Sequence, residues 1–203
     1  MTGNDSKRST GPVDFQTWAA DDPDGRLVIG GTIVLWSHAD RTLFRQVRLE
    51  VAEAGIADFR HRLEVQISSA YAGSAEHCGL LRLWECRNNW ASRMWIYARH
   101  DVGRTNSWTI HFEQKDESYG EWKWHGRVRL DLGSTYSVAL NRTNRYCRLQ
   151  VSAPESLEES LEDSGNIRCA DTPYREVWVC STLRTPYNNG NWSSGFIENL
   201  YLD

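Results

Sequence analysis

RMWIYAR at residues 93–99 and SWTIHFEQ at residues 107–114 decide how this chain folds. In an extended strand, alternate side chains point to opposite sides. The first stretch then splits into Met94, Ile96 and Ala98 against Trp95, Tyr97 and Arg99. The second splits into Trp108, Ile110 and Phe112 against His111 and Glu113. Each stretch has one apolar side and one polar, aromatic side. That is the period of a half-buried strand, not of a helix.

The same alternation runs outward in both directions. Strands are expected at 27–29, 32–36, 44–50, 61–67, 79–84, 93–99, 107–114, 122–130, 136–141, 146–152, 176–181 and 196–202. Turn residues separate them, and only SLEESLED at 156–163 reads as a short helix. Many short strands without intervening helices predict an all-β domain of two antiparallel sheets, a sandwich of the jelly-roll type. A closed barrel is the other all-β solution. The chain has 203 residues, within the roughly 200–250 that such domains fill as one unit. Residues 1–12 are polar and read as a disordered tail, leaving 13–203 as a single domain.

Composition narrows the partners. The chain carries 23 basic and 27 acidic residues, a net charge of −4. That balance argues against a general nucleic-acid or membrane-surface binder, which shows a basic footprint. No run approaches the roughly 20 apolar residues of a membrane span. The opening MTGNDSKRSTGP lacks the apolar stretch of a signal peptide. A chain starting there is expected in the cytosol, though a mature fragment of an exported protein would read the same, so localisation stays open. Five cysteines in no CxxC pair give little support to a zinc or redox motif. Buried free thiols are expected, with a Cys169–Cys180 bridge if the chain is secreted.

The polar side of the strands is where chemistry is expected. Arg62, Glu64 and Gln66 oppose Leu63, Val65 and Ile67; Arg82 and Trp84 oppose Leu81 and Leu83. If these strands share a sheet with 93–99 and 107–114, guanidinium groups interleave with aromatic rings on one surface. Sugars bind such surfaces: their C–H faces stack on Trp or Tyr, and their hydroxyls take bidentate partners. The ligand-binding candidates are Arg62, Gln66, Arg82, Trp84, Trp95, Tyr97, Arg99 and His111. An ordinary wet sheet face is the plain alternative. Tyr119, Trp122, Trp124 and His125 lie in a segment expected to cap the groove or bury against an edge. The segment DDPDG at 21–25 clusters carboxylates with a turn glycine, as a calcium loop or simply as an Asp-rich turn. The histidines show no metal-ligand spacing.

The closing stretch NWSSGFIENLYLD at 191–203 resembles the last strand of concanavalin A-like lectin/glucanase domains, laminin G-like ones included. DLGSTYSVAL with NRTNRYCRLQVS, and the opening GRLVIGGTIVLW, are similar to further strand pairs of that superfamily. The resemblance implies a jelly roll with one concave, ligand-carrying face. It also implies a structural calcium between the N-terminal loop and the last strand, for which Asp22, Asp24 and Asp203 are candidates.

Three functions follow. A non-catalytic, lectin-like module binding a glycan, acidic ones included, is favoured, and no catalytic residue is assigned. The Glu-x-Asp carboxylate motif of related glucanases is absent. An alginate-lyase-like reading would use Gln66, Tyr97, Arg99 and His111 on a uronate chain. Yet the Gln-Ile-His and Lys-Ala-Gly-x-Tyr motifs of those lyases are missing. A structural or assembly jelly roll is the third reading.

Overall fold

A computed structural model describes residues 11–39, 45–51, 55–71, 79–89, 92–100, 107–116, 120–153, 160–170, 172–182 and 192–203. Side chains are described for these except 79–81, 100, 121–128 and 160. Fifteen strands form among these residues: β1 Ala19–Asp21, β2 Leu27–Ile29, β3 Ile33–Ala39, β4 Arg45–Glu50, β5 Phe59–Tyr71, β6 Gly79–Arg87, β7 Arg93–His100 and β8 Ser107–Asp116. They continue with β9 Gly120–Asp131, β10 Thr135–Thr143, β11 Tyr146–Ser152, β12 Ser160–Asp163, β13 Ile167–Arg168, β14 Glu176–Thr182 and β15 Trp192–Leu202.

The strands build two antiparallel sheets. One runs β1-β4-β14-β6-β7-β8-β9, the other β12-β11-β10-β5-β15-β3-β2, with β13 beside β11. The last two strands slot into the middle of the two sheets: β14 between β4 and β6, β15 between β5 and β3. This is an all-β jelly-roll sandwich. No helix among the described residues is long and apolar enough to cross a membrane.

Alternation is the cause of the layers. Phe59, His61, Leu63, Val65 and Ile67 of β5 face inward, against Val34 and Trp36 of β3 and Val138 and Leu140 of β10. From the seven-stranded sheet, Val47, Met94, Ile96, Ala98, Trp108, Ile110, Phe112, Val177 and Val179 complete the core. The hairpin between β10 and β11 turns on Asn144 and Arg145, both at positive φ (49° and 68°). Two successive left-handed residues give the turn whose twist suits a two-residue hairpin.

Local expectations change in three places. Residues 160–163 pair with β11 as a strand, so the helix expected at 156–163 does not form there; residues 156–159 lie outside the described residues. The strand expected at 122–130 starts earlier, at Gly120, and runs to Asp131, so Trp122, Trp124 and His125 belong to it and not to a separate capping segment. The thiols of Cys86, Cys147, Cys169 and Cys180 are free and buried, and Cys169 contacts Cys147, not Cys180. Cys78 lies outside the described residues.

Candidate functional site

The outer face of the seven-stranded sheet is a ladder of polar and aromatic rows. Cross-strand register fixes the rows, because directly paired residues share a face. One row is Glu50, Glu176, Arg87, Arg93 and Lys115. The next is Arg48, Trp178, Glu85, Trp95 and Glu113. A third is Ser181, Arg82, Tyr97 and His111. A fourth is Arg99, Thr109 and Arg129.

Glu85 is the hub. It is 0% exposed although it sits on an outer face. Its Oε2 accepts from Arg82 Nη1 at 3.0 Å, Arg87 Nη2 at 2.9 Å and Ser181 Oγ at 3.2 Å; its Oε1 accepts from Arg87 Nε. A buried carboxylate with two guanidinium partners and a hydroxyl is well satisfied. Burial pulls the Arg82 pKa below its ordinary value, and the Glu85 carboxylate opposes that shift.

Aromatic rings brace the arginines. Arg82 and Arg93 lie over Trp95 at 4.7 and 4.9 Å from its centroid, and Arg87 lies over Trp178 at 3.5 Å. Next to this braced zone is a more open one. Tyr97 stacks on His111 with centroids 4.8 Å apart, and its hydroxyl donates to Glu113 Oε1 at 2.9 Å. His111 Nε2 lies 3.0 Å from Thr109 Oγ1. Tyr97, Arg99, Thr109 and Glu113 are half-buried, and Arg129 and Lys115 are exposed. This zone offers a phenol, an imidazole, a carboxylate and guanidinium groups within one patch.

Of the residues expected here, Arg82, Trp95, Tyr97, Arg99 and His111 share this face. Three do not. Arg62 and Gln66 belong to β5, which lies in the other sheet, so both point outward on the opposite side of the sandwich. There Arg62 covers the Tyr201 ring at 4.4 Å and Gln66 Nε2 donates to the Gly133 carbonyl at 2.8 Å. Trp84 is a core residue, 0% exposed. The cause is a bulge: Arg82 pairs with Tyr97 while Trp84 pairs with Ile96, so two steps on β6 match one on β7. Leu83 and Trp84 both turn inward, and Glu85 and Arg87 come to the outer face.

The sequence reading does not find Glu85, Arg87, Arg93 or Trp178. The bulge hides the first two. Trp178 was accessible to it, since period-two alternation in EVWVCS sets Glu176 and Trp178 against Val177 and Val179. Trp122 and Trp124 lie on β9, but their side chains are outside the described residues.

The calcium candidates do not meet. Asp24 pairs with Arg45 and Arg26, and those two cations hold its carboxyl below the usual range, Arg45 first. Asp22 caps the turn, accepting from the backbone N–H groups of Arg26 (2.9 Å) and Leu27 (2.7 Å). Asp203 follows the Leu202–His61 pair, whereas Leu27 aligns through Trp36 with Gly195. Eight residues of β15 separate those levels, on the order of 25 Å of strand. The Asp22 and Asp24 turn is a carboxylate–arginine clamp, and no group of three or more His, Cys, Asp or Glu suited to a metal occurs among the described residues.

The fold is shared with solved structures of low sequence identity. A functionally unknown protein from Saccharomyces cerevisiae superposes with a TM-score of 0.60 at 10% identity, covering 94% of this chain and 98% of that one. An alginate lyase from Klebsiella pneumoniae does so at 0.59 and 9% identity, over 73% of this chain and 60% of that one. The exoplasmic/lumenal domain of VIP36 in its Ca2+/Man3GlcNAc-bound form gives 0.58 and 10% identity, over 95% and 86%. No protein-family model matches the sequence, and no curated protein matches it. At such identities the likeness shows the fold alone, a two-sheet jelly-roll sandwich.

Proposed function

We propose that this domain binds carbohydrate, without catalysis, on the outer face of its seven-stranded sheet. The observation that carries the reading is the open patch of Tyr97, Arg99, Thr109 and Glu113 beside the braced arginines. Partly exposed hydrogen-bonding groups set on rigid strands are pre-organised for a hydroxyl-rich ligand. That the Man3GlcNAc-bound VIP36 domain and an alginate lyase share the fold supports the same reading. A glycan array tests it: the wild-type chain should retain a defined set of glycans, and Arg99→Ala or Tyr97→Ala should lose them while remaining folded.

A uronate lyase is the second reading, and one observation favours it. Tyr97 and His111 are stacked partners, with the Tyr97 hydroxyl held by Glu113. Proton abstraction beside a carboxylate needs a base or acid of these types, and a guanidinium such as Arg82 or Arg99 to neutralise the carboxylate. Incubation with polyuronates distinguishes the two, since only a lyase accumulates unsaturated, ultraviolet-absorbing ends.

A further inference from the structure

Resting on the carbohydrate-binding reading, we propose that the ligand is an anionic polysaccharide, its carboxylate or sulfate groups taken by guanidinium edges rather than its rings stacked on tryptophan.

The stacking route is closed by burial. Trp95 is 4% exposed and Trp178 is 5% exposed. Guanidinium groups lie over both rings, at 4.7 and 4.9 Å for Trp95 and 3.5 Å for Trp178. A sugar ring has no open Trp face on this part of the sheet. The rings serve instead as rigid supports. Each fixes the plane of an arginine that would otherwise sample many rotamers, so less freedom is lost when an oxyanion docks.

Charge points the same way. The four rows hold seven cations and four carboxylates among the described residues, in a chain whose net charge is −4. The face therefore concentrates positive charge against the sign of the whole chain, which raises the local concentration of anions and steers them in. All four carboxylates have partners: Glu85 takes Arg82 and Arg87, Glu50 and Glu176 take Arg48, and Glu113 accepts from the Tyr97 hydroxyl. Arg129 and Lys115 stand exposed at opposite ends of the patch, with Arg99 half-buried in the Arg129 row on the other side of Thr109. Cations at both ends suit a chain with repeated acidic groups better than a single charged unit. Trp95 is a positioning residue in this scheme, acting through Arg82 and Arg93.

The test is calorimetric titration of the full chain with a polyuronate (alginate), a sulfated chain (heparin), and a neutral β-glucan and mannan, at low and high salt. An acidic polymer should bind at least about tenfold tighter than either neutral one. Its affinity should fall by about tenfold between roughly 50 and 300 mM salt, as exposed charges become screened. Arg99→Gln should weaken it by a further factor of about ten. Trp95→Leu should weaken it too, and Trp95→Phe should restore it, because a ring still supports the arginines. Neutral glycans binding as tightly, with no salt dependence, would overturn the anionic class while leaving carbohydrate binding intact. No binding of any polysaccharide would remove both, and so would tighter binding to single-stranded RNA than to every polysaccharide.

Discussion

Glu85 and Arg87, two residues apart on β6, form a two-point ion pair in which Arg87 Nη2 donates to Glu85 Oε2 at 2.9 Å and its Nε donates to Oε1. Both are buried, and Arg82 binds the same carboxylate. Glu85→Gln keeps the shape but leaves two guanidinium groups without their counter-charge. Breaking a buried pair from one side costs about 3–5 kcal/mol. Urea denaturation should show a loss of that size, and a change under about 1 kcal/mol would mean that water compensates both arginines in solution.

His61 gives the domain a specific acid sensitivity. Its ring stacks on Phe59 with centroids 4.2 Å apart and meets Trp84 edge-on at 5.5 Å. Burial alone drives its pKa from 6.5 to about 3. The unfolded imidazole takes up a proton near pH 6.5, while the folded one stays neutral to about pH 3. Stability is therefore complete above pH 6.5 and is lost as pH falls through that window, by about 1.4 kcal/mol per pH unit. Asp24 and Asp163, whose pKa values lie below 3.8, lose their stabilising contribution only at lower pH. Between pH 6.5 and 4.5 the wild type should lose about 2–3 kcal/mol more than His61→Phe. Equal losses in the two proteins would place solvent at the imidazole.

The two faces of the sandwich can be separated by mutation. Arg62→Ala removes only the contact with Tyr201 on the far sheet. It should change stability by less than about 1 kcal/mol and leave glycan binding unchanged. Trp84→Ala empties a fully buried site and should lose about 3–5 kcal/mol. Weaker glycan binding by a folded Arg62→Ala protein would show that the ligand contacts the eight-stranded sheet.

Strand positions were legible because burial follows alternation closely. LVI at 27–29 and YCRLQVS at 146–152 begin and end where the sequence pattern sets them. What alternation cannot carry is which sheet a strand joins. β5 and β6 are neighbours in sequence, yet they face each other across the core, so Arg62 and Gln66 part company with Tyr97. Nor can alternation see a bulge, and the extra residue at Leu83–Trp84 exchanges a candidate ligand residue for a core tryptophan. The carboxylates of DDPDG were visible, but their partner was not. Arg45 comes to them from a strand some twenty residues on.

The closing strand depends on one missing side chain. Gly195 sits between β5 and β3, where β15 shifts register on both sides. A methyl group there would stand 2.1 Å from the Gln66 carbonyl oxygen and 2.8 Å from the Trp36 ring. Neither can retreat easily: one is backbone in a paired strand, and the other is a buried indole whose Nε1 donates to Ser193 at 3.0 Å. Gly195→Ala should therefore lose at least about 3 kcal/mol, or fail to fold. Ser194→Ala, one residue away, removes only the acceptor for the His38 N–H at 2.9 Å and should lose about 1 kcal/mol. Thermal melts of the pair separate the two cases. Similar melting temperatures for both would mean that β15 can shift to relieve the clash, and that the glycine of SSGF reflects the bulge rather than the close approach of β5.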